Sequence, residues 1–253
     1  MQQLVLSLFP GADLFGRAFE QEGFTVVHGP DILLGGDIRN FHVFPQKFDG
    51  IIGGPPCQSF SQATLRAGGS DHAVHGNLIP EFERIVIEAK PRWYVMENVR
   101  QAPLPFVNYI WSDMLEMSGT EHNYHYLKCI YYQVTDAWAC GASQHRLRRF
   151  SSNLWLKPEL MPELERHPDP WPTVTATEDK MTAGTSKKNQ GARAGRKVGR
   201  RMTLEEVNEA MGLPKNWETP ALTVAMQYQV RGNGVELHCG RTIARAVKQA
   251  LES

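Results

Sequence analysis

The sequence predicts an α/β protein: a mostly parallel sheet flanked by helices, with a second, smaller lobe set in before the last helix. Two observations carry this. From Leu4 to Leu115, short apolar runs alternate with stretches of helical periodicity, the pattern of repeated strand–helix units. Near Pro158 that alternation stops. Prolines and then basic residues take over, and helical periodicity returns only at Thr203.

Each element has its own reason. Leu4-Val5-Leu6-Ser7-Leu8-Phe9 is a short apolar run, too short for a helix, and reads as a buried strand. Leu14, Phe15, Ala18 and Phe19 then recur at helical spacing. Thr25-Val26-Val27-His28 is β-branched and reads as a second strand. Gly50-Ile51-Ile52 is a third apolar run, closed by the break Gly53-Gly54-Pro55-Pro56. Leu78, Phe82, Ile85, Val86 and Ala89 share one helical face, and Pro91 ends that helix. Trp93-Tyr94-Val95-Met96 follows as a strand. Val107, Ile110, Trp111, Met114 and Leu115 mark a further helix.

The smaller lobe has a different composition. Residues 158–200 carry Pro158, Pro162, Pro168, Pro170 and Pro172, then a Gly/Lys/Arg segment. Lys187, Lys188, Arg193, Arg196, Lys197, Arg200 and Arg201 follow one another with no acidic residue between them. Thr203-Leu204-Glu205-Glu206 is a capping box, with Gly212 as the stop signal of its helix. Val235 to Leu251 reads as an amphipathic helix through Leu237, Ile243, Ala244, Val247 and Leu251, suited to packing back on the sheet. The expected division is 1–157 with 222–253 for the large domain and 158–221 for the small lobe, the latter holding the basic segment 185–201.

Composition narrows the class. In 253 residues, 27 basic side chains balance 27 acidic ones, so only the local clustering of charge suggests a polyanionic partner. No apolar run reaches the ~18 residues of a membrane span, and Met1-Gln2-Gln3-Leu4 lacks the basic start of a secretory leader. The cysteines at 57, 129, 140 and 239 form no C-x-x-C pair, which favours a reducing compartment and argues against a structural metal site.

One cysteine stands in a setting of its own. In Gly53-Gly54-Pro55-Pro56-Cys57-Gln58-Ser59-Phe60-Ser61 it follows a short strand, at the sheet edge where α/β proteins bind ligands. Two prolines fix the backbone just before it, as suits a nucleophile that must be held still. A small thiol buried in a turn would also fit this segment alone.

The order of motifs decides between them. Pro-Pro-Cys-Gln at 55–58, Glu-Asn-Val at 97–99, Gln-x-Arg-x-Arg at 144–148 and Gly-Asn-x-Val at 232–235 occur in one sequence order. Together they resemble the cytosine-C5 DNA methyltransferases that use S-adenosylmethionine. The resemblance implies a Rossmann-like methyltransferase domain with a small target-recognition lobe. It implies Cys57 as nucleophile, Glu97 as the carboxyl that holds and protonates the base, and Arg146 and Arg148 reaching the base or orienting Glu97. Glu97 would need a pKa raised by burial to donate at N3.

For the cofactor, Ser7-Leu8-Phe9-Pro10-Gly11-Ala12 is similar to the usual opening turn, so Phe9, Gly11 and Ala12 are expected there. Family members continue with a Gly pair where this chain has Asp13-Leu14. Asp31 is expected on the ribose, and Asp37 and Ile38 on the adenine. Only five residues separate Asp31 from Asp37, so the sheet edge is expected to be trimmed. Pro55, Asn233 and Gly234 are expected to complete the pocket.

For DNA, the resemblance implies contacts from Gln58, Ser59 and Ser61, on a Gly-containing lid of about 20 residues that closes over a flipped base. Lys187, Lys188, Arg193, Arg196, Lys197 and Arg200 are expected on phosphates. The implied partner is double-stranded DNA, and the implied cofactor S-adenosylmethionine, with no metal and no membrane. Monomeric action, a bacterial cytoplasmic setting and a possible cognate restriction endonuclease follow from the family. The small size suits a phage- or prophage-encoded enzyme. The alternatives are an RNA substrate, disfavoured because the Cys-Phe-Thr tripeptide of the relatives acting on tRNA is absent, and a silent DNA-binding relative, disfavoured because Cys57, Glu97, Arg146 and Arg148 are all retained.

Overall fold

The computed structural model describes residues 2–56, 76–107, 131–176 and 200–252. Strands β1 (Leu4–Leu8), β2 (Thr25–His28), β3 (Gly50–Gly53), β4 (Trp93–Asn98), β5 (Tyr131–Asp136) and β6 (Leu147–Ser152) form one sheet in the order β2-β1-β3-β4-β6-β5. β1 pairs in parallel with β2 and β3, and β3 with β4. β6 runs antiparallel to both β4 and β5, so it alone opposes the other five. The expected mostly parallel sheet is present.

The strand residues divide between two faces by the period of two. Val5, Ile52, Trp93, Val95 and Phe150 pack with helices α1 (Leu14–Gln21) and α5 (Leu237–Glu252). Leu6, Ile51, Tyr94 and Met96 pack on the opposite face with α2 (Ile79–Ala89). β1, β3 and β4 are therefore covered on both sides, which is why they read as unbroken apolar runs.

A third cluster joins Leu14 to Val174, Met202, Val207, Met211 and Tyr228. It seats α3 (Leu204–Ala210) and α4 (Val224–Asn233) against the start of α1. Val174 and residues 202–213, which the sequence places in the small lobe, thus share a core with Leu14.

Termination follows local chemistry. Pro91 disfavours the helical conformation at Lys90, which turns left-handed at φ 46° and donates its N–H to Val86 O. The capping box at Thr203 and Glu206 forms as expected, and Gly212 turns the chain at φ 73°. Between Asp31 and Asp37 there is one short 3-10 turn, Ile32–Leu34, where a longer connection would carry a helix. The expected trimmed edge is seen there, and β2 is an edge strand. β5, β6 and α4 have no counterpart in the sequence reading. The helix expected from Val107 to Leu115 lies, after Val107, outside the described residues.

Candidate active site

A cleft of about 1270 Å³ of empty space, counting its open mouth, lies at the carboxyl ends of β1, β3 and β4. It is built from several stretches of chain. The turn after β1 gives Phe9 and Gly11, the segment after β2 gives Asp31, Asp37 and Ile38, and the break after β3 gives Gly54, Pro55 and Pro56. Glu97 and Arg148 come from the sheet, and Asn233 and Gly234 from the end of α4.

Glu97 sits in β4 opposite Phe150 of β6 and is only 6% exposed. Arg148, near the start of β6, places Nε 2.9 Å from Glu97 Oε1. Burial raises the Glu97 pKa above the usual carboxylate range, with the charges of Arg148 and then Arg146 opposing. The carboxyl is thus held in place, and burial disfavours its charged form. Gly54 lets the chain pass against it: a Cβ there would lie 3.1 Å from Glu97 Oε2.

Asn98, the next residue, is buried and donates from Nδ2 to Pro55 O at 3.1 Å, while its Oδ1 accepts from Val99 N–H at 2.8 Å. The segment leading to Cys57 is therefore fastened to the strand that carries Glu97. Cys57 follows Pro56 directly and lies outside the described residues.

The other half of the cleft is lined by two carboxylates and apolar side chains. Asp31 Oδ2 accepts from Gly11 N–H and Oδ1 from Leu33 N–H, both at 2.8 Å. Asp37 Oδ1 accepts from Arg39 N–H at 3.0 Å and caps the 3-10 turn Ile38–Asn40. Both acids cap short turns and both line the cleft. Phe9, Ile32, Ile38 and Leu78 supply the apolar walls. Ala12, expected in the pocket, packs instead on the Leu14–Val174–Met211 cluster.

Arg146 differs from Arg148. Its guanidinium donates to Val174 O at 2.8 Å and to Gly232 O and Gly234 O at 2.7 Å each, and it is 1% exposed. The geometry gives it the work of holding the backbone beside Asn233. Gln144 extends this joint, accepting from Val174 N–H at 2.9 Å and donating to Ala210 O at 2.5 Å. Sequence reasoning missed Asn98's hold on Pro55 and the pocket residues Ile32, Leu33, Leu78 and Gln229. Glu-Asn-Val offered a signal for the first. The others carried none.

Gln58, Ser59, Ser61, Lys187, Lys188, Arg193, Arg196 and Lys197 lie outside the described residues. Arg200 is described, and its guanidinium is paired with Glu206 at 2.6 Å. Among the described residues no group of His, Cys, Asp and Glu could hold a metal ion, and no helix is long and apolar enough to cross a membrane.

The sheet thus carries at its carboxyl edge a cleft lined by carboxylates, with a buried carboxyl–guanidinium pair on its floor. The model of C-5 cytosine-specific DNA methylases matches residues 5–155 and 159–249, and the chain belongs to that family. It is 32% identical over 182 residues to Type II methyltransferase M.AquIA of Picosynechococcus sp., a match covering 59% of this chain and 71% of that protein. It is 34% identical over 113 residues to Type II methyltransferase M.NgoPII of Neisseria gonorrhoeae, covering 38% of this chain but only 33% of that one. The solved structure of the Entamoeba histolytica methyltransferase EhMeth shares the fold at a TM-score of 0.62 and 14% identity, with 100% of both chains covered.

Proposed function

We propose that this chain methylates C5 of cytosine in duplex DNA, with the base in the Glu97–Arg148 half of the cleft and S-adenosylmethionine in the Phe9–Asp31–Asp37 half. The observation that carries the reading is the buried Glu97, held by Arg148 and overlain by the Gly54–Pro56 segment that leads to Cys57.

The cleft fits the cofactor's chemistry. Apolar Phe9, Ile32 and Ile38 suit an adenine face, and the carboxylates Asp31 and Asp37 suit hydroxyl and amino donors. When bound, the cofactor supplies an electrophilic methyl group. The chain's own residues then prepare the acceptor. The Cys57 thiolate adds to cytosine C6 while Glu97 gives its proton to N3, which leaves an electron-rich C5. After methylation C5 loses its proton, Cys57 leaves C6, N3 returns its proton, and the aromatic ring is restored. Arg148 keeps the Glu97 carboxyl aimed throughout.

The target base must leave the helix to reach this floor, at a cost of a few kcal/mol. We assign the lid role to the loop of about 20 residues after Cys57, Gln58 included, and phosphate contacts to the basic segment 185–201, within a target-recognition lobe at 158–221. The enzyme acts as a monomer in the bacterial cytoplasm, and a cognate endonuclease and phage origin belong to the same proposal. The test is transfer of labelled methyl from S-adenosylmethionine to unmethylated duplex DNA, with bisulfite sequencing and Cys57→Ala alongside. Label at C5 that vanishes in the variant is expected. Label on RNA alone, or none with the cofactor bound, would overturn the reading.

A further inference from the structure

The turn between β1 and α1 holds a side chain that the mechanism does not use. Phe9, Gly11 and Asp13 all have left-handed backbones, at φ 55°, 55° and 48°. Two of the three are not glycine, so the turn needs outside support to keep this shape. One end has it from Asp31, which accepts from Gly11 N–H at 2.8 Å.

Asp13 supports the other end and is 6% exposed. Its Oδ1 accepts from Ser7 Oγ–H at 2.7 Å and from Gly16 N–H at 3.0 Å. Its Oδ2 lies 2.8 Å from His28 Nε2. One carboxylate thus joins β1, the end of β2 and the first turn of α1. Asp13 N–H also closes the turn onto Pro10 O at 2.6 Å. The carboxylate takes space as well as bonds: a Cβ on Gly16 would stand 2.1 Å from Asp13 Oδ2 and 2.5 Å from its Cγ.

We propose that Asp13 is a positioning residue for the cofactor turn, and that Asp13 and Gly16 form a reciprocal pair, so that position 16 accepts a side chain only when position 13 gives its own up. The proposal rests on the reading of this half of the cleft as the S-adenosylmethionine site. Asp13 acts through Phe9 and Gly11, which line the cleft, and touches no ligand itself.

The experiment is calorimetric binding of S-adenosylhomocysteine to the full chain, at a temperature well below the measured Tm of every variant. Asp13→Ala is expected to weaken binding tenfold or more. Asp13→Asn keeps an acceptor for Ser7 and Gly16 and tolerates the left-handed backbone, so it should bind within threefold of wild type. Gly16→Ala should also lose tenfold or more, whereas Asp13→Gly combined with Gly16→Ala should bind within threefold of Asp13→Gly alone, because the space that the carboxylate filled is then open. The comparison of that double variant with Asp13→Gly carries the test if Asp13→Ala does not fold. Wild-type binding with no loss in Asp13→Ala, or a double variant tenfold weaker than Asp13→Gly, overturns this proposal alone. A wild-type chain that binds no S-adenosylhomocysteine overturns the cofactor reading with it.

Discussion

The two arginines of the Gln-x-Arg-x-Arg segment are expected to differ in how their loss depends on pH. Arg146→Ala removes three hydrogen bonds from a charged donor to buried carbonyls, those of Val174, Gly232 and Gly234. Such bonds contribute about 1.5–3 kcal/mol each, and they share one side chain, so the whole loss is about 4 kcal/mol. In a domain of this size that lowers Tm by roughly 10 °C. Carbonyls do not titrate, and the Arg146 charge acts on Glu97 less than that of Arg148 does, so most of the deficit should persist from pH 8 to pH 5.

Arg148→Ala instead leaves Glu97 buried beside no partner of its own. Glu97 can escape by keeping its proton. Its pKa already stands above the ordinary carboxylate value through burial, and loss of the opposing Arg148 charge raises it further. The folded chain then holds this proton more tightly than the unfolded one. Stability must fall as pH rises above the unfolded value, until the folded pKa is passed. The deficit should be about 3 kcal/mol at pH 8, within the range for a broken buried pair, and shrink toward zero near pH 4.5. Urea unfolding of both variants at pH 5 and pH 8 reads this directly. A deficit in Arg148→Ala that ignores pH, or one in Arg146→Ala that fades at pH 5, would refute the division of roles.

Four further outcomes are expected. Asn98→Ala loses its bond to Pro55 O, which should cost about 1–2 kcal/mol in unfolding free energy. It should lower kcat for methyl transfer more than tenfold, because the chain entering Cys57 is released. Asp31→Ala leaves Gly11 and Leu33 N–H without their carboxylate and should weaken S-adenosylhomocysteine at least tenfold in calorimetry, with DNA affinity unchanged. Thr203→Ala breaks the capping box and should cost ~1 kcal/mol by thermal unfolding. Glu206 is held down to about 2, first by its bond to Arg200, so its contribution is complete above the ordinary value of 4.5 and is lost as pH falls through about 2. Arg200→Ala should flatten that acid limb in a circular-dichroism titration.

What was legible depended on what each element buries. β1, β3 and β4 are covered on both faces, so their residues had to be apolar in unbroken runs, and the sequence shows them. β6 buries Arg149, Ser151 and Ser152 as well as Phe150; Arg149 donates to Ala102 O, and Ser152 Oγ accepts from Leu154 N–H two residues on. Nothing in its hydrophobic pattern marks it as a strand. α4 hides Arg231 under Trp217 and against Asn208 rather than an apolar stripe, so its hydrophobic pattern did not mark it as a helix.

The site divides the same way. Glu97 and Arg148 are joined side chain to side chain, and both residue types had to be present for the motif to be seen. The different duty of Arg146 was hidden, although it stands two residues from Arg148. Arg146 precedes β6, so strand alternation does not fix its direction, and its partners are main-chain carbonyls. Every residue has a carbonyl, whatever its type. A side chain that works by holding backbone therefore leaves no complementary residue in the sequence, and only the fold, by bringing Val174, Gly232 and Gly234 to one point, reveals what it is for.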